Sequence, residues 1–192
     1  MPRSGIKHTI KKDEASYFLT ITTVEWVDVF TRPIYKDELI DSLKYCIENK
    51  GLNVYAYVIM TNHIHLIVNC NEPFNLSETI RDFKRHTSKK IVDLIKNESE
   101  SRRDWLLSLF SIAAVKDLKG KKFKLWQNGN HAIEVFSESF LWDKINYIHQ
   151  NPVRAKFVRK PEDWVYSSMS NYLDEKSVLP VHTLTPRLNK KN

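Results

Sequence analysis

The sequence predicts an α+β fold in which an antiparallel sheet carries helices on one side. Three observations lead to it. Tyr17-Phe18-Leu19-Thr20-Ile21-Thr22-Thr23 is rich in aromatic and β-branched residues, as strands are. Residues 36–50 instead keep Leu39, Ile40, Leu43, Cys46 and Ile47 at helical spacing. Taken along the chain, such stretches follow the order strand-helix-strand-strand-helix-(helix)-strand-helix.

After the first strand, Arg32-Pro33 breaks the chain before the 36–50 helix, and Lys50-Gly51 ends that helix with a glycine stop. Two strands follow at 52–60 and 63–70. Their link, Thr61-Asn62, is short enough for a hairpin although it is not the favoured Asn-Gly type. Glu72-Pro73 marks a turn, and Asn75 or Ser77 caps a second helix over 76–96. Its polar face holds Arg81, Lys84, Arg85, His86, Lys89 and Lys90, interleaved with Ile80, Phe83, Ile91 and Leu94. A third helix over 101–115 contains Trp105-Leu106-Leu107-Ser108-Leu109-Phe110, a spacing that speaks for core or partner packing. Residues 116–124 then read as an exposed basic loop. The stretch 131–136 reads as a fourth strand. Ser137 caps a last helix over 138–151, which should end at Asn151 because a residue before proline avoids helical geometry. Phe140, Leu141, Ile145 and Ile148 form its apolar stripe, and Trp164, Tyr166 and Tyr172 pack back on the sheet.

The 192 residues suit one domain over 15–175, with a basic arm at 1–14 (Arg3, Lys7, Lys11, Lys12), a helical insertion and basic loop at 97–122, and a polar basic tail at 176–192. A net charge of +7 favours polyanionic partners, nucleic acid first and a membrane surface second. No apolar run is long enough for a membrane span, and the N-terminus lacks the apolar region of a signal peptide. Cys46 and Cys70 have no zinc-type spacing, which fits a reduced cytoplasm better than a disulfide-stapled fold.

The chemistry centres on Tyr57-Val58-Ile59-Met60-Thr61-Asn62-His63-Ile64-His65-Leu66-Ile67-Val68. In a strand, His63 and His65 project on one face and Ile64, Leu66 and Val68 on the other. Paired imidazoles on a sheet face make half of a divalent-metal site. The plainer alternative is a polar, solvent-facing surface with two ordinary histidines. In the last helix Tyr147 and Asn151 stand four residues apart, one turn along the same face. Lys144 shares that side, and His149 points roughly opposite. Taken singly, each has a plainer reading, the tyrosine as packing and the asparagine as a cap.

Several signposts occur together: His63-Ile64-His65 after the Tyr-Val-Ile-Met strand, Leu125-Trp126-Gln127, Tyr147-Ile148-His149-Gln150-Asn151-Pro152-Val153-Arg154-Ala155, and Trp164-Val165-Tyr166-Ser167-Ser168. In this order they resemble the REP-associated tyrosine transposases, single-tyrosine enzymes of the HUH endonuclease superfamily, over residues 15–172. The resemblance implies a ferredoxin-like (RRM-like) antiparallel sheet of four or five strands with helices on one face and a catalytic tyrosine helix. It implies Mg²⁺ or Mn²⁺ held by His63, His65 and Asn151, and Tyr147 as a nucleophile that forms a 5′-phosphotyrosine with single-stranded or hairpin DNA. Lys144, or a bound water, would assist the phenol. Arg81, Lys84, Arg85, Lys89, Lys121, Lys122 and Lys144 would grip phosphates. Such an enzyme would work in the cytoplasm beside the nucleoid, as a monomer or as a dimer, with Tyr147 acting in cis or in trans. Three rivals remain open in the sequence: a non-catalytic single-stranded nucleic-acid-binding module, a hydrolase using water at His63/His65, and a structural protein whose histidines bind nothing.

Overall fold

Strands β1 (Tyr17–Thr22), β2 (Leu52–Ile59), β3 (His63–Cys70) and β4 (Ile133–Glu134) form one sheet in the order β2-β3-β1-β4. Every pairing is antiparallel. With helices inserted after β1 and β3, this is the ferredoxin-like arrangement that the sequence predicts. The structure, a computed structural model, describes Ile10, residues 15–117, Gly120 and residues 122–186. Apart from Ile10, which packs against the core, the expected arm at 1–14 lies outside the described residues, as do Lys121 and the tail from 187.

Alternation divides the sheet into two faces. Tyr17, Leu19 and Ile21 of β1 join Ile64, Leu66 and Val68 of β3 on the first, under α1 (Pro33–Asn49) and α2 (Leu76–Asn97). Phe18, Val58 and Ile67 lie on the second, against Ile145 and Ile148 of α4 (Glu138–Arg154). A bulge at Tyr55, between Val54 and Ala56, shifts the alternation, so Leu52 and Val54 share the first face with Tyr57 and Ile59. Helices α1 and α2 form the layer on one face that the sequence predicts, and the tyrosine helix α4 lies on the other. The histidine face is the one beneath the last helix.

Local chemistry sets the element ends. Pro33 opens α1, where a missing N–H costs nothing. Gly51 follows it at φ +61, and a Cβ there would sit 2.7 Å from the Phe74 ring, so the position requires glycine. Asn75, rather than Ser77, caps α2 by accepting from Glu78 N at 3.1 Å, and Ser137 caps α4 by accepting from Phe140 N at 3.2 Å. Thr61-Asn62 closes the β2–β3 hairpin, with Met60 N donating to His63 O at 2.9 Å.

Three sequence expectations need correction. Helix α4 does not stop at Asn151 but runs to Arg154 with Pro152 inside it. The proline removes one hydrogen bond in the last turn, and Ala155 N to Asn151 O and Phe157 N to Pro152 O, both 3.0 Å, complete the turn beyond it. Within α4, Phe140 and Leu141 are only half-buried; His149 and Pro152 join Ile145 and Ile148 inside. The fourth strand shrinks from 131–136 to Ile133–Glu134. The chain already runs beside β1 at Trp126, bridged to Thr23, then leaves the ladder through Gly129 (φ +76) and His131 (φ +39).

Helix α3 (Arg103–Lys116) turns Leu106, Phe110 and Ala114 inward and leaves Trp105, Ile112 and Val115 exposed. The basic loop is only partly exposed. Lys124 turns in to Asp117 at 2.9 Å, whereas Lys122 faces solvent. The aromatic ending packs on β2 as expected: Trp164 Nε1 donates to Ile59 O at 3.1 Å and Tyr172 Oη to Tyr55 O at 2.9 Å. Part of the tail expected at 176–192 also belongs to the fold, since Leu179 is fully buried and His182 N donates to Val54 O at 2.9 Å. Among the described residues, no helix is long and apolar enough to cross a membrane. Both cysteines are free thiols and buried.

Candidate active site between the sheet and the last helix

The site begins with register. His63 opens β3 opposite Thr22, and His65 lies opposite Thr20 on one side and Val58 on the other. The two imidazoles therefore share a face, with ring centroids 4.7 Å apart. Each presents Nδ1 to a neighbouring side chain. Asn62 Oδ1 is 2.6 Å from His63 Nδ1, and an amide oxygen only accepts, so this nitrogen carries the proton. Thr20 Oγ1 is 3.0 Å from His65 Nδ1. Both Nε2 atoms are thereby left to the space under α4.

Burial keeps the pair neutral. It pushes His65 down to about 3, reinforced by His63 and by the Lys144 ammonium, against a backbone hydrogen bond to Leu19. Burial also lowers His63, opposed by its hydrogen bond to the Asn151 side chain and by Asp28. Neutral imidazole is the form that offers a lone pair to a metal ion.

Helix α4 delivers the rest. Tyr147 lies with its ring centroid 5.2 Å from that of His65 and 6.0 Å from that of Phe18. Asn151, one turn on, reaches His63 by hydrogen bond. Two cations flank the tyrosine, Lys144 Nζ at 5.5 Å and Arg154 Cζ at 5.2 Å from its ring centroid. His149 points away from this group, as its helical position predicts. It is buried, with Nε2 2.8 Å from Ser168 Oγ, and burial pushes it down to about 4. Ser168 in turn bonds both backbone groups of Tyr57, so the Ser-Ser of the terminal motif ties α4 to β2.

The donors under α4 fit a hard divalent cation. Two neutral imidazole nitrogens and one amide oxygen leave coordination positions for phosphate oxygen and water, and leave the ion its full charge. Among the described residues, no group of three or more His, Cys, Asp or Glu forms an alternative centre.

The expected phosphate-gripping residues divide. Arg81, Arg85 and Lys89 are exposed on α2 and, with Lys122, line an open groove of about 840 Å³ between that helix and residues 122–130. Arg81 and Arg85 both pair with Asp82. Lys84 is a strut: its ammonium donates to Gln127 O, Gly129 O and Asn130 Oδ1 at 2.7 to 3.0 Å, pinning the loop to the helix. Lys144 lies in the tyrosine site. Lys121 is outside the described residues.

Sequence reasoning missed three members of the site. Thr20 needed the strand register, Asn62 a turn that folds back on His63, and Arg154 a helix that continues past proline. The spacing of seven residues between Tyr147 and Arg154, two helical turns, was the available signal for the last.

The family model described as "Transposase IS200 like" matches residues 11–113, just over half of the 192 residues and inclusive of both histidines. Among solved structures, the chain is similar to that described as "Structure of the REP associates tyrosine transposase bound to a REP hairpin". The TM-score is 0.59 at 16% identity, covering 97% of this chain and 93% of the other. That likeness is one of fold. No curated protein matches the chain.

Proposed function

Because the chain belongs to the IS200-like transposase family, we propose that it cleaves and rejoins single-stranded DNA by transesterification through Tyr147. The observation that supports this reading is the convergence of two sequence-distant groups: the paired neutral histidines of β3 and the tyrosine of α4, whose ring meets that of His65. A solvated polar sheet face needs no such lid, and a water-using hydrolase needs no phenol.

In this account His63, His65 and Asn151 hold Mg²⁺ or Mn²⁺. When bound, the ion supplies a Lewis acid that polarises the scissile phosphate and offsets its developing charge. The phenolic oxygen of Tyr147 attacks phosphorus, the bond to the 3′-oxygen breaks, and the 3′-hydroxyl leaves with a proton. The product is a 5′-phosphotyrosine. Attack on it by another 3′-hydroxyl rejoins DNA, one phosphoester replacing another, so no nucleotide energy source is consumed. A free phenol titrates near 10, so the attacking phenolate needs support. Lys144 and Arg154 flank the ring and stabilise that charge while the proton leaves to water.

The substrate is single-stranded or hairpin DNA. The solved relative is described with a REP hairpin, and this chain carries a net charge of +7. Arg81, Arg85, Lys89 and Lys122 hold its backbone phosphates, with Lys144 contributing at the cut. In this reading cleavage proceeds in cis, supported by the ring of Tyr147 lying against His65 of the same chain.

The test incubates the protein with Mn²⁺ and a labelled hairpin oligonucleotide. A covalent protein-DNA adduct is expected from wild type and not from Tyr147→Phe, with at least a tenfold loss for His63→Ala and for His65→Ala. Cleavage by Tyr147→Phe with a free 5′-phosphate product would replace this reading by the water-using hydrolase. Binding without an adduct from any form would leave a nucleic-acid-binding module.

A further inference from the structure

Beside the two histidines stands a tryptophan that contributes nothing to the core. Trp26 is 58% exposed, although burying so large an apolar ring would be favourable. Its backbone lies at φ +53, directly after Glu25 at φ +51. Two consecutive side chains in the left-handed region are costly, and residues so held cluster at ligand sites.

The surroundings over-determine this conformation. Trp26 O accepts from Asn62 Nδ2 at 3.1 Å, and the same Asn62 bonds His63 through Oδ1. Thr23 Oγ1 shares its one proton between Val27 O at 2.9 Å and Asn62 O at 3.0 Å, closing the turn around the pair. One amide thus ties the tryptophan backbone to the first histidine. The indole itself stands edge-on to His63, ring centroids 6.0 Å apart.

Trp26 also borders an open depression of about 460 Å³. Its further walls include the ammonium groups of Lys116 and Lys124, the carboxylates of Glu25 and Asp117, and the carboxamides of Gln127 and Asn128. Lys124 is paired with Asp117 at 2.9 Å, so the recess combines an aromatic face with carboxamides and the Lys116 ammonium beside the Glu25 carboxylate. An exposed aromatic face bordered by polar groups is what a stacked base on a single strand needs.

We propose that Trp26 is a base-stacking platform. An unpaired nucleobase next to the scissile phosphate lies on the exposed indole at the mouth of this depression, and the strand continues toward His63. The inference rests on the proposed cleavage of single-stranded DNA and adds to it a specific contact that positions the strand. Stacking is sequence-tolerant, because every base has an aromatic face, so Trp26 sets the position and geometry of the strand rather than its sequence.

The test measures binding of the full chain, in EDTA, to a short labelled oligothymidylate and to an abasic strand of equal length. Trp26→Ala is expected to weaken binding of the oligothymidylate about fivefold or more, the range of one lost stack, and to leave the abasic strand unaffected. Trp26→Phe retains most of the affinity. Trp26→Gly, which relaxes the left-handed backbone, binds as weakly as Trp26→Ala while melting no lower than it. In a cleavable strand, an abasic residue beside the cut slows adduct formation by wild type but not by Trp26→Ala. Unchanged oligothymidylate affinity in Trp26→Ala and Trp26→Gly, equal losses on both strands, or equal slowing of both forms by the abasic residue would overturn the platform. These results would leave the Tyr147 chemistry standing. Failure of the wild type to bind either strand would overturn both readings.

Discussion

Two side chains that face the histidines from behind decide which nitrogen each one offers. Asn62 Oδ1 holds the Nδ1 proton of His63, and Thr20 Oγ1 engages Nδ1 of His65, so Nε2 is available under α4 in both. Thr20→Val keeps the shape of the side chain and removes the hydroxyl. It is expected to weaken Mn²⁺ binding about 10-fold or more in calorimetric titration, with the fold intact by circular dichroism. Unchanged affinity would show that the His65 ring is held by packing on Phe18 alone. His149 makes a different prediction. Unfolded histidine titrates near 6.5, and burial holds this one to about 4 in the folded protein. Between these values the unfolded chain binds more protons, so the contribution of His149 is complete above pH 6.5 and declines as pH falls toward 4. The loss amounts to at most about 3 kcal/mol. Urea midpoints across that range should fall more steeply for wild type than for His149→Gln; parallel curves would contradict the assignment. His63 and His65 were legible in the sequence because strand alternation puts residues two apart on one face. Thr20 was not, because it enters only through the register of a strand 45 residues away.

At the level of elements, α4 decides whether the histidines belong to a site or to a surface. Its seat on the sheet depends on Ile145 and Ile148 against Phe18, Val58 and Ile67, with His149 and Ser168 fastening its far side. Ile148→Ala, at a fully buried position, should cost about 2–5 kcal/mol in denaturant unfolding. The same change should reduce adduct formation at a temperature where the protein remains folded, because the tyrosine loses its support. Full activity in a destabilised protein would separate the seat of α4 from the chemistry. The pairing of Tyr147 with Asn151 was readable from their spacing. The end of the helix was not: the rule that chains leave the helix before proline failed where proline falls in the last turn and only one bond is lost. That one misplaced boundary hid Arg154. Strand β4 was overestimated for a comparable reason. Apolar alternation at 131–136 signals a strand, but the left-handed backbone at Gly129 and His131 takes the chain off the ladder until Ile133.

On the scale of the whole molecule, the two faces of the sheet divide the work. One, under α1 and α2, is an apolar core. The other carries the candidate site, while Arg81, Arg85, Lys89 and Lys122 line a groove between α2 and residues 122–130. If Arg81, Arg85 and Lys89 meet phosphates, each alanine substitution should lower the slope of log affinity against log salt by about 0.7 for single-stranded DNA. Substitution of Lys84 should instead loosen the loop that it pins. Unaltered slopes for the three would move the strand off this groove. The helix-sheet order was visible in the sequence because hydrophobic period changes from element to element; the seat of α4 on the second face was not, since periodicity reports which side of an element is apolar and not what lies on it. Cleavage in cis predicts that mixing Tyr147→Phe with His63→Ala restores no activity. Recovered activity would mean that partners exchange tyrosines.

Mass spectrometry of the peptide that carries DNA, after reaction with a hairpin oligonucleotide and Mn²⁺ and nuclease trimming, identifies the nucleophile. A nucleotide joined through its 5′-phosphate to the peptide containing Tyr147 is expected. A nucleotide on any other tyrosine, or cleavage with no peptide modified, would contradict cleavage through Tyr147.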